Sequence, residues 1–280
     1  QLIAPPELVQ NSCLLVMGSE GRGEQLLKTD QDNALLLRDG YVPPDDLPAI
    51  CARFSEALAR FGYPPCPGHV MLSNAIWRGT VQDFARRVRK WLVLPEADSL
   101  INLAVFMDAH AVCGDAELLA SLRRQVFGML ADDDAMMSRF AAVVDAFGDG
   151  TRWWRRMLGG GEANLNVKKA GMFPLVHGVR SMALAERIDA TSTEARIRAL
   201  HEVGALDAET AQELTESLHF FMGLRLKAGL DEMDRGQPVS GKVDLAGLTP
   251  LERDLLKDAL AAVRRFRAQL RLRFRLGAVS

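Results

Sequence analysis

Residues 12–37 read SCLLVMGSEGRGEQLLKTDQDNALLL, which is two apolar runs separated by a glycine-rich segment. The runs at 12–17 and 34–37 have the length and composition of buried strands. Glycines at 18, 21 and 23 permit tight backbone turns between them, and residues 24–28 are long enough for one helical turn. The pattern therefore predicts strand, glycine loop, short helix, strand.

Working outward, a helix is predicted from Asp45 or Asp46 to about Arg60, and a third strand at residues 66–72, CPGHVML. A helix is also predicted at residues 80–92, and from residue 98 onward nearly every apolar pattern has helical spacing. The predicted helices are 80–92, 98–108, 115–129, 134–147, 174–188, 193–202, 207–233 and 249–275. The fold class we expect is α/β plus α, with a small mixed sheet followed by a helical domain.

A length of 280 residues suits two domains of ordinary size. The composition changes from mixed to helical between about residues 95 and 130. We therefore place a first domain at 1–125 and a helical, substrate- or partner-binding domain at 126–280. Because the chain starts at Gln1 without an initiator Met, we expect it to be part of a longer protein.

Composition excludes several function classes. A formal net charge of -2 provides no overall basic field, which disfavours nucleic acid as a partner. No apolar run approaches the roughly 20 residues that span a bilayer, so we expect no membrane insertion. The cysteines form no Cys-x-x-Cys pair and predict reduced thiols in a cytoplasmic protein; they are Cys13, Cys51, Cys66 and Cys113.

An Asp-x-Asp pair, Asp30 and Asp32, stands at the start of the second predicted strand. Side chains two apart in a strand point to one face, and their Cα atoms are about 6.5 to 7 Å apart. Two carboxylates at that separation repel by about 2 to 3 kcal/mol at an effective dielectric constant of about 20. A divalent cation turns this repulsion into a ligand set. We therefore predict that Asp30 and Asp32 are catalytic and bind Mg²⁺ or Mn²⁺.

The glycine loop supplies the complementary half of a phosphate site. Its backbone N–H groups, the Ser19 hydroxyl and the Arg22 guanidinium suit phosphate oxygens, so Gly18, Ser19 and Arg22 are predicted to bind nucleotide. The loop lacks the Gly-Lys-Ser/Thr of a Walker motif and the regular βαβ unit of a Rossmann turn. A polar turn without ligand is the alternative.

The segment GSEGRGEQLLKTDQDNALLL resembles the signature of the polymerase-beta-type nucleotidyltransferase superfamily, a Gly-Ser turn followed by Asp-x-Asp. It is most similar to nucleotidyltransferases that often follow cyclic-nucleotide-binding or CBS domains and are related to the PII protein uridylyltransferases. Four later blocks extend the resemblance over nearly the whole chain: PCPGHVMLSN, FMDAHAVCGD, LNVKKAGMFPLV and LTPLERDLLKDAL. The resemblance implies the fold of that superfamily and regulatory domains upstream of this chain.

The same resemblance implies an activity, the Mg²⁺-dependent transfer of a nucleoside monophosphate from an NTP to an acceptor hydroxyl, with a signalling protein as an expected acceptor. Asn166-Val167-Lys168 is similar to an Asn-x-Lys element of the uridylyltransferases, which makes Lys168 a phosphate or substrate ligand; the alternative is an exposed basic pair with Lys169. The superfamily usually has a third metal-binding carboxylate. The predicted strand 66–72 contains none. The nearest acid in a family block is Asp108, which we predict to lie on a helix. Its predicted role is either a third metal ligand or a support of the site.

Two alternatives remain open from the sequence. Without a third carboxylate, the site suits a catalytically weak or inactive nucleotide-sensing module, with the helical half as a dimerisation or partner surface. The last helix carries six arginines between Arg264 and Arg275, which form either a solvated rim or a surface for an anion or partner.

Overall fold

The computed structural model describes residues 3–93, 98–130, 133–146 and 164–276. The chain divides into two compact units, Gln1–Asp133 and Asp134–Ser280. The division follows Asp133 rather than residue 125 because a helix at Ala116–Leu130 belongs to the first unit. The α/β plus α fold class is confirmed, since a small mixed sheet lies in the first unit and helices dominate the second.

A four-stranded sheet organises the first unit. Its strands are β1 (Ser12–Val16), β2 (Asn33–Leu37), β3 (Arg78–Thr80) and β4 (His110–Gly114), in the order β3-β2-β1-β4. Strand β1 is antiparallel to β2 and β4, whereas β3 is parallel to β2. The helices described in this unit are α1 (Pro6–Gln10), α2 (Gly18–Gly21), α3 (Leu47–Arg60), α4 (Val81–Val93), α5 (Ser99–Phe106) and α6 (Ala116–Leu130).

The predicted strand at 66–72 is wrong: this segment is irregular, and β3 occupies the sheet edge beside β2. His69 has a φ of 53°, a left-handed conformation that interrupts an extended chain. The segment still accompanies β2, because the Val70 carbonyl accepts from Asn33 N at 3.0 Å and Leu72 N donates to Asn33 Oδ1 at 2.9 Å. Apolar composition predicted the location correctly and the conformation incorrectly.

Two other local features differ from the sequence prediction. The helical turn of the glycine loop is α2, at the start of the loop, rather than residues 24–28. Strand β4 was not predicted, because four of its five residues are exposed and it has no buried apolar run. It adds a strand to the edge of the sheet next to β1.

In its described residues, 134–146 and 164–276, the second unit is a helical bundle with one short strand pair. Its predicted helices are confirmed with small differences at their ends. They are α7 (Asp134–Ala146), α8 (Phe173–Ala185), α9 (Thr193–Glu202), α10 (Ala208–Asp234) and α11 (Pro250–Arg273), with a π-helical turn at Lys168–Met172 and strands β5 (Asn164–Leu165) and β6 (Val243–Asp244).

Helix α8 forms the centre of this bundle. Every residue from Pro174 to Leu184 is buried, so the helix has no solvent face. A Cβ built on Gly178 would lie 2.4 Å from Leu270 Cδ1 and 2.7 Å from Phe266 Cε1, which shows how closely α11 approaches it. In the part of the chain that is described, no helix combines the length and apolar character needed to cross a membrane.

Candidate active site

The antiparallel pairing of β1 with β2 brings the glycine loop and the Asp-x-Asp pair together. Val16, the last residue of β1, is opposite Asn33, the first residue of β2. One residue further, Met17 N donates to the Asp32 carbonyl at 2.8 Å. The Gly-Ser turn that follows β1 therefore begins beside the acids that precede β2.

Gly18 makes direct contact with the second acid. Its φ of +58° is unfavourable for other residues, and a Cβ at this position would lie 2.6 Å from Asp32 Oδ2. Glycine thus meets two requirements, the left-handed turn and the space taken by the carboxylate. The structure brings Gly18 and Asp32 together as the sequence predicts.

The residues around Asp32 alternate between buried and exposed positions. Gln31 is 1% exposed, and its Nε2 donates to the carbonyls of Ser55 at 2.9 Å and Tyr63 at 2.8 Å. Asp30 is exposed and Asp32 is half-buried. This alternation is typical of an extended chain, although both acids precede β2 rather than lying within it.

Arg22 has a different environment from the one its predicted role suggests. Its side chain is 11% exposed, with Nε 2.6 Å from Glu24 Oε2 and Nη1 2.5 Å from Asp108 Oδ2. Burial alone would lower the pKa of Arg22, but Asp108 and Glu24 outweigh this effect and raise it. Arg22 therefore remains charged and ties the glycine loop to a residue 86 positions away in sequence.

Asp108 lies in the turn between α5 and β4, which corrects its predicted place on a helix. Its side chain is fully buried against Arg22. The described residues include no cluster of three or more His, Cys, Asp or Glu side chains placed to hold a metal ion. The structure therefore does not gather Asp30, Asp32 and Asp108 into one preformed ligand set. The ion pair of Asp108 with Arg22 favours the supporting role for Asp108.

Two further residues near Asp32 were not predicted as part of the site. Burial raises the pKa of the Cys66 thiol to about 11, and the Asp32 carboxylate, with which it forms a hydrogen bond, also raises it. Burial and the Asp32 charge raise the pKa of Glu20. Cys66 had no sequence signal as a site residue because the segment that carries it was read as a strand, whereas Glu20 stands inside the Gly-Ser motif itself.

Lys168 belongs to the second unit, where it is exposed at the start of the π-helical turn. The turn is capped from the Asn-x-Lys element, because Asn166 Oδ1 accepts from Lys169 N at 3.0 Å. Asn166 therefore has a local structural role. The role of Lys168 as a phosphate or substrate ligand stays a prediction.

A small mixed sheet that carries a Gly-Ser turn against an Asp-x-Asp carboxylate, followed by a helical unit, agrees with the nucleotidyltransferase class that the sequence resembles. Two family models match the chain. The model described as "Putative nucleotidyltransferase DUF294" matches residues 2–98, and that described as "Putative nucleotidyltransferase substrate binding domain" matches residues 134–274. The chain belongs to this nucleotidyltransferase family. No curated protein matches it.

Proposed function

We propose that this protein transfers a nucleoside monophosphate from an NTP to an acceptor hydroxyl and depends on Mg²⁺ or Mn²⁺. The acceptor oxygen forms a bond to the α-phosphorus, the bond from that phosphorus to the bridging oxygen of the β-phosphate breaks, and pyrophosphate and one proton are released. Membership in a nucleotidyltransferase family supports the reaction class. The contact between Gly18 and the Asp32 carboxylate supports the location of the site.

The donors that precede β2 fit a hard divalent cation. Asp30 and Asp32 offer carboxylate oxygens, and magnesium is commonly bound by one or two carboxylates together with substrate phosphates and water. Burial is the main cause that raises the pKa of the Cys66 thiol to about 11, and the protonated thiol is a hydrogen-bond donor to Asp32. When bound, the cation would neutralise phosphate charge and orient the reacting groups.

In this proposal the protein positions the triphosphate through the Gly-Ser turn. Gly18 and Ser19 begin a four-residue helical turn, whose first N–H groups have no partner within the turn, and Gly18 lies beside the Asp32 carboxylate. The Ser19 hydroxyl adds a further donor. Arg22 acts indirectly, because its guanidinium binds Glu24 and Asp108 and so fixes the backbone of the loop.

The acceptor and the setting are also part of the proposal. We assign the acceptor to a signalling protein on the basis of the resemblance to uridylyltransferases. The second unit matches a model described as a substrate binding domain, and Lys168 offers an exposed charge there for a phosphate or substrate group. The four cysteines are free thiols, which supports a reducing, cytoplasmic setting.

Asp32→Asn tests the site directly. The substitution retains the shape of the side chain but removes the charge, so we expect Mg²⁺-dependent NTP binding to fall by about a hundredfold, in the range of a lost charge-assisted contact. Isothermal titration calorimetry with each of the four Mg·NTPs measures the affinity. Asp45→Asn is the matched control, since it removes an exposed carboxylate of the same unit outside the site. Equal affinities of the Asp32→Asn variant and the wild type would refute the assignment.

A labelling experiment tests the reaction. The wild type is incubated with cell extract and with NTP labelled at either the α- or the γ-phosphate. A nucleotidyltransferase transfers the α-label to an acceptor and releases the γ-label as pyrophosphate. Transfer of the γ-label to an acceptor would identify a different reaction.

The second candidate function is a nucleotide sensor without turnover. It is favoured by the absence, among the described residues, of a cluster of three metal-binding side chains. Saturable Mg·NTP binding with no transfer of either label would support the sensor. Loss of that binding in Asp32→Asn would then still identify the same site.

A further inference from the structure

Helix α11 has an exposed face that its packing in the bundle does not explain. Leu251 is 68% exposed, Leu255 44% and Leu272 82%. The opposite face of the same helix is buried in the core of the unit through residues such as Leu256, Val263 and Phe266. A helix with apolar residues on both faces indicates a second contact surface.

The exposed residues of α11 form a regular stripe. Leu251, Asp258, Arg265 and Leu272 follow one another at intervals of seven residues, and all four are exposed. Residues seven apart lie on one side of a helix after two turns. The stripe spans about 31 Å at a rise of 1.5 Å per residue.

Charge is divided between the two halves of this helix. Residues 250–261 carry three acids, Glu252, Asp254 and Asp258, and two bases, Arg253 and Lys257, for a net charge of -1. Residues 262–273 contain five arginines and no acid. Two copies of the helix in antiparallel orientation therefore place unlike charges opposite each other.

We propose that α11 pairs with α11 of a second copy of this chain across a two-fold axis. In the antiparallel register centred between Ala261 and Ala262, Leu251 of one copy is opposite Leu272 of the other, and Asp258 is opposite Arg265. The stripe is thus complementary to its own reversed sequence, which is the requirement for a two-fold interface. Ala261, a small and half-buried residue beside this centre, permits close approach of the helices.

A surface cavity adjoins the stripe. A cavity of about 380 Å³ lies between α10 and α11, with Phe220 and Leu255 in its wall and Glu213 and Asp258 among its polar residues. Arg265 Nη2 lies 2.6 Å from Glu213 Oε1, which holds the guanidinium at the cavity. Its remaining N–H groups suffice for the opposing Asp258, because a guanidinium has five donors.

Sedimentation equilibrium of the full chain tests the pairing, which does not depend on the proposed transfer reaction. We expect the wild type to be a dimer and Leu272→Glu to raise the dimer dissociation constant by tenfold or more, since apolar anchors dominate such interfaces. Leu272 is 82% exposed, so the variant should retain its helical circular dichroism. Met233→Glu, at a 54% exposed position on α10, is the matched control and should leave the dimer unchanged. A monomeric wild type, or a dimer that Leu272→Glu does not weaken, would overturn the proposal.

A charge exchange tests the register. Asp258→Arg and Arg265→Asp should each weaken the dimer about tenfold, because each places like charges opposite each other. All of these variants carry Glu213→Gln, because Glu213 is the partner of Arg265 within one chain and would repel an aspartate at that position. The double variant restores both intermolecular pairs in reverse and should recover most of the affinity of the Glu213→Gln reference. Failure of the double variant to recover would exclude the antiparallel register centred between Ala261 and Ala262.

Discussion

In the first unit polar side chains join the interior beside the candidate site, whereas in the second unit the core around α8 is mainly apolar and encloses a buried polar pair, His177 and Arg180 of α8 itself. Arg22 and Asp108 meet across 86 positions of sequence, and Gln31 binds two carbonyls of the segment that contains and follows α3. Around α8 the contacts are largely those of leucines, valines and aromatic rings, such as Leu175, Val179 and Phe266.

Polar contacts and apolar packing constrain a structure in different ways. Hydrogen bonds and ion pairs are directional, so they fix the positions of individual groups such as the Gly-Ser turn. Apolar packing is not directional and fixes the shape of a body through close contact. Polar contacts therefore fix single groups of the candidate site, and in the second unit apolar contacts account for most of the packing around α8.

Arg22→Met should have the largest effect, because it removes the polar link on which the first unit depends. It removes the Arg22 guanidinium from the buried carboxylate of Asp108, and breaking a buried ion pair from one side costs about 3 to 5 kcal/mol. Hydrogen exchange of the β1 and β2 amides measures the loss of stability within this unit. Arg38→Met is the control, since the exposed pair of Arg38 with Asp115 is worth at most about 1 kcal/mol. Similar losses in the two variants would contradict the comparison.

Gly178→Ala tests the apolar interior of the second unit. The added methyl group would lie 2.4 Å from Leu270 Cδ1 and 2.7 Å from Phe266 Cε1, and both side chains are 1% exposed. Overpacking of this kind costs about 1 to 3 kcal/mol. Hydrogen exchange of the α8 amides as a function of denaturant concentration measures this loss of stability. Gly223→Ala is the control, at a helical position with open space, and should stabilise the protein by about 0.5 to 1 kcal/mol. If Gly178→Ala also stabilised the protein, α8 would be packed loosely.

The smallest effect concerns an exposed polar group of the second unit, Glu252 at the start of α11. The Lys227 side chain, followed by Thr249, lowers the pKa of Glu252 from 4.5 to about 2. A lowered carboxyl pKa contributes stability above the unfolded value of 4.5, and that contribution is lost as the pH falls toward 2. The melting temperature of Glu252→Gln should therefore decrease less than that of the wild type over this range. Equal decreases would show that the capping box contributes no pH dependence.

The sequence predicted most of the helices because their apolar spacing repeats over several turns, as in α4 and α10. It predicted the contact of the glycine loop with Asp32 because the strands flanking them are short and buried. Strand β4 escaped prediction, since an exposed edge strand has no apolar pattern. The segment at 66–72 was misread because apolar composition does not reveal the left-handed turn at His69.

The environment of the candidate site depended on contacts distant in sequence. A cationic side chain in a glycine loop suits phosphate, so nothing local to Arg22 indicated that Asp108 would bind it. The hydrogen bond from Cys66 to Asp32 likewise depends on the course of an irregular segment. Such pairings are set by tertiary structure and have no periodic signal in the chain.

The connection from the Gly-Ser turn to β2 is held by hydrogen bonds at Lys28 and Gln31. Lys28 Nζ lies 2.6 Å from the Phe61 carbonyl, and Gln31 is held by the carbonyls of Ser55 and Tyr63. The conformational entropy of this loop is therefore lost when the protein folds. A ligand that binds beside Asp32 therefore meets a loop that these contacts already restrict, which lowers the cost of ordering the chain on binding.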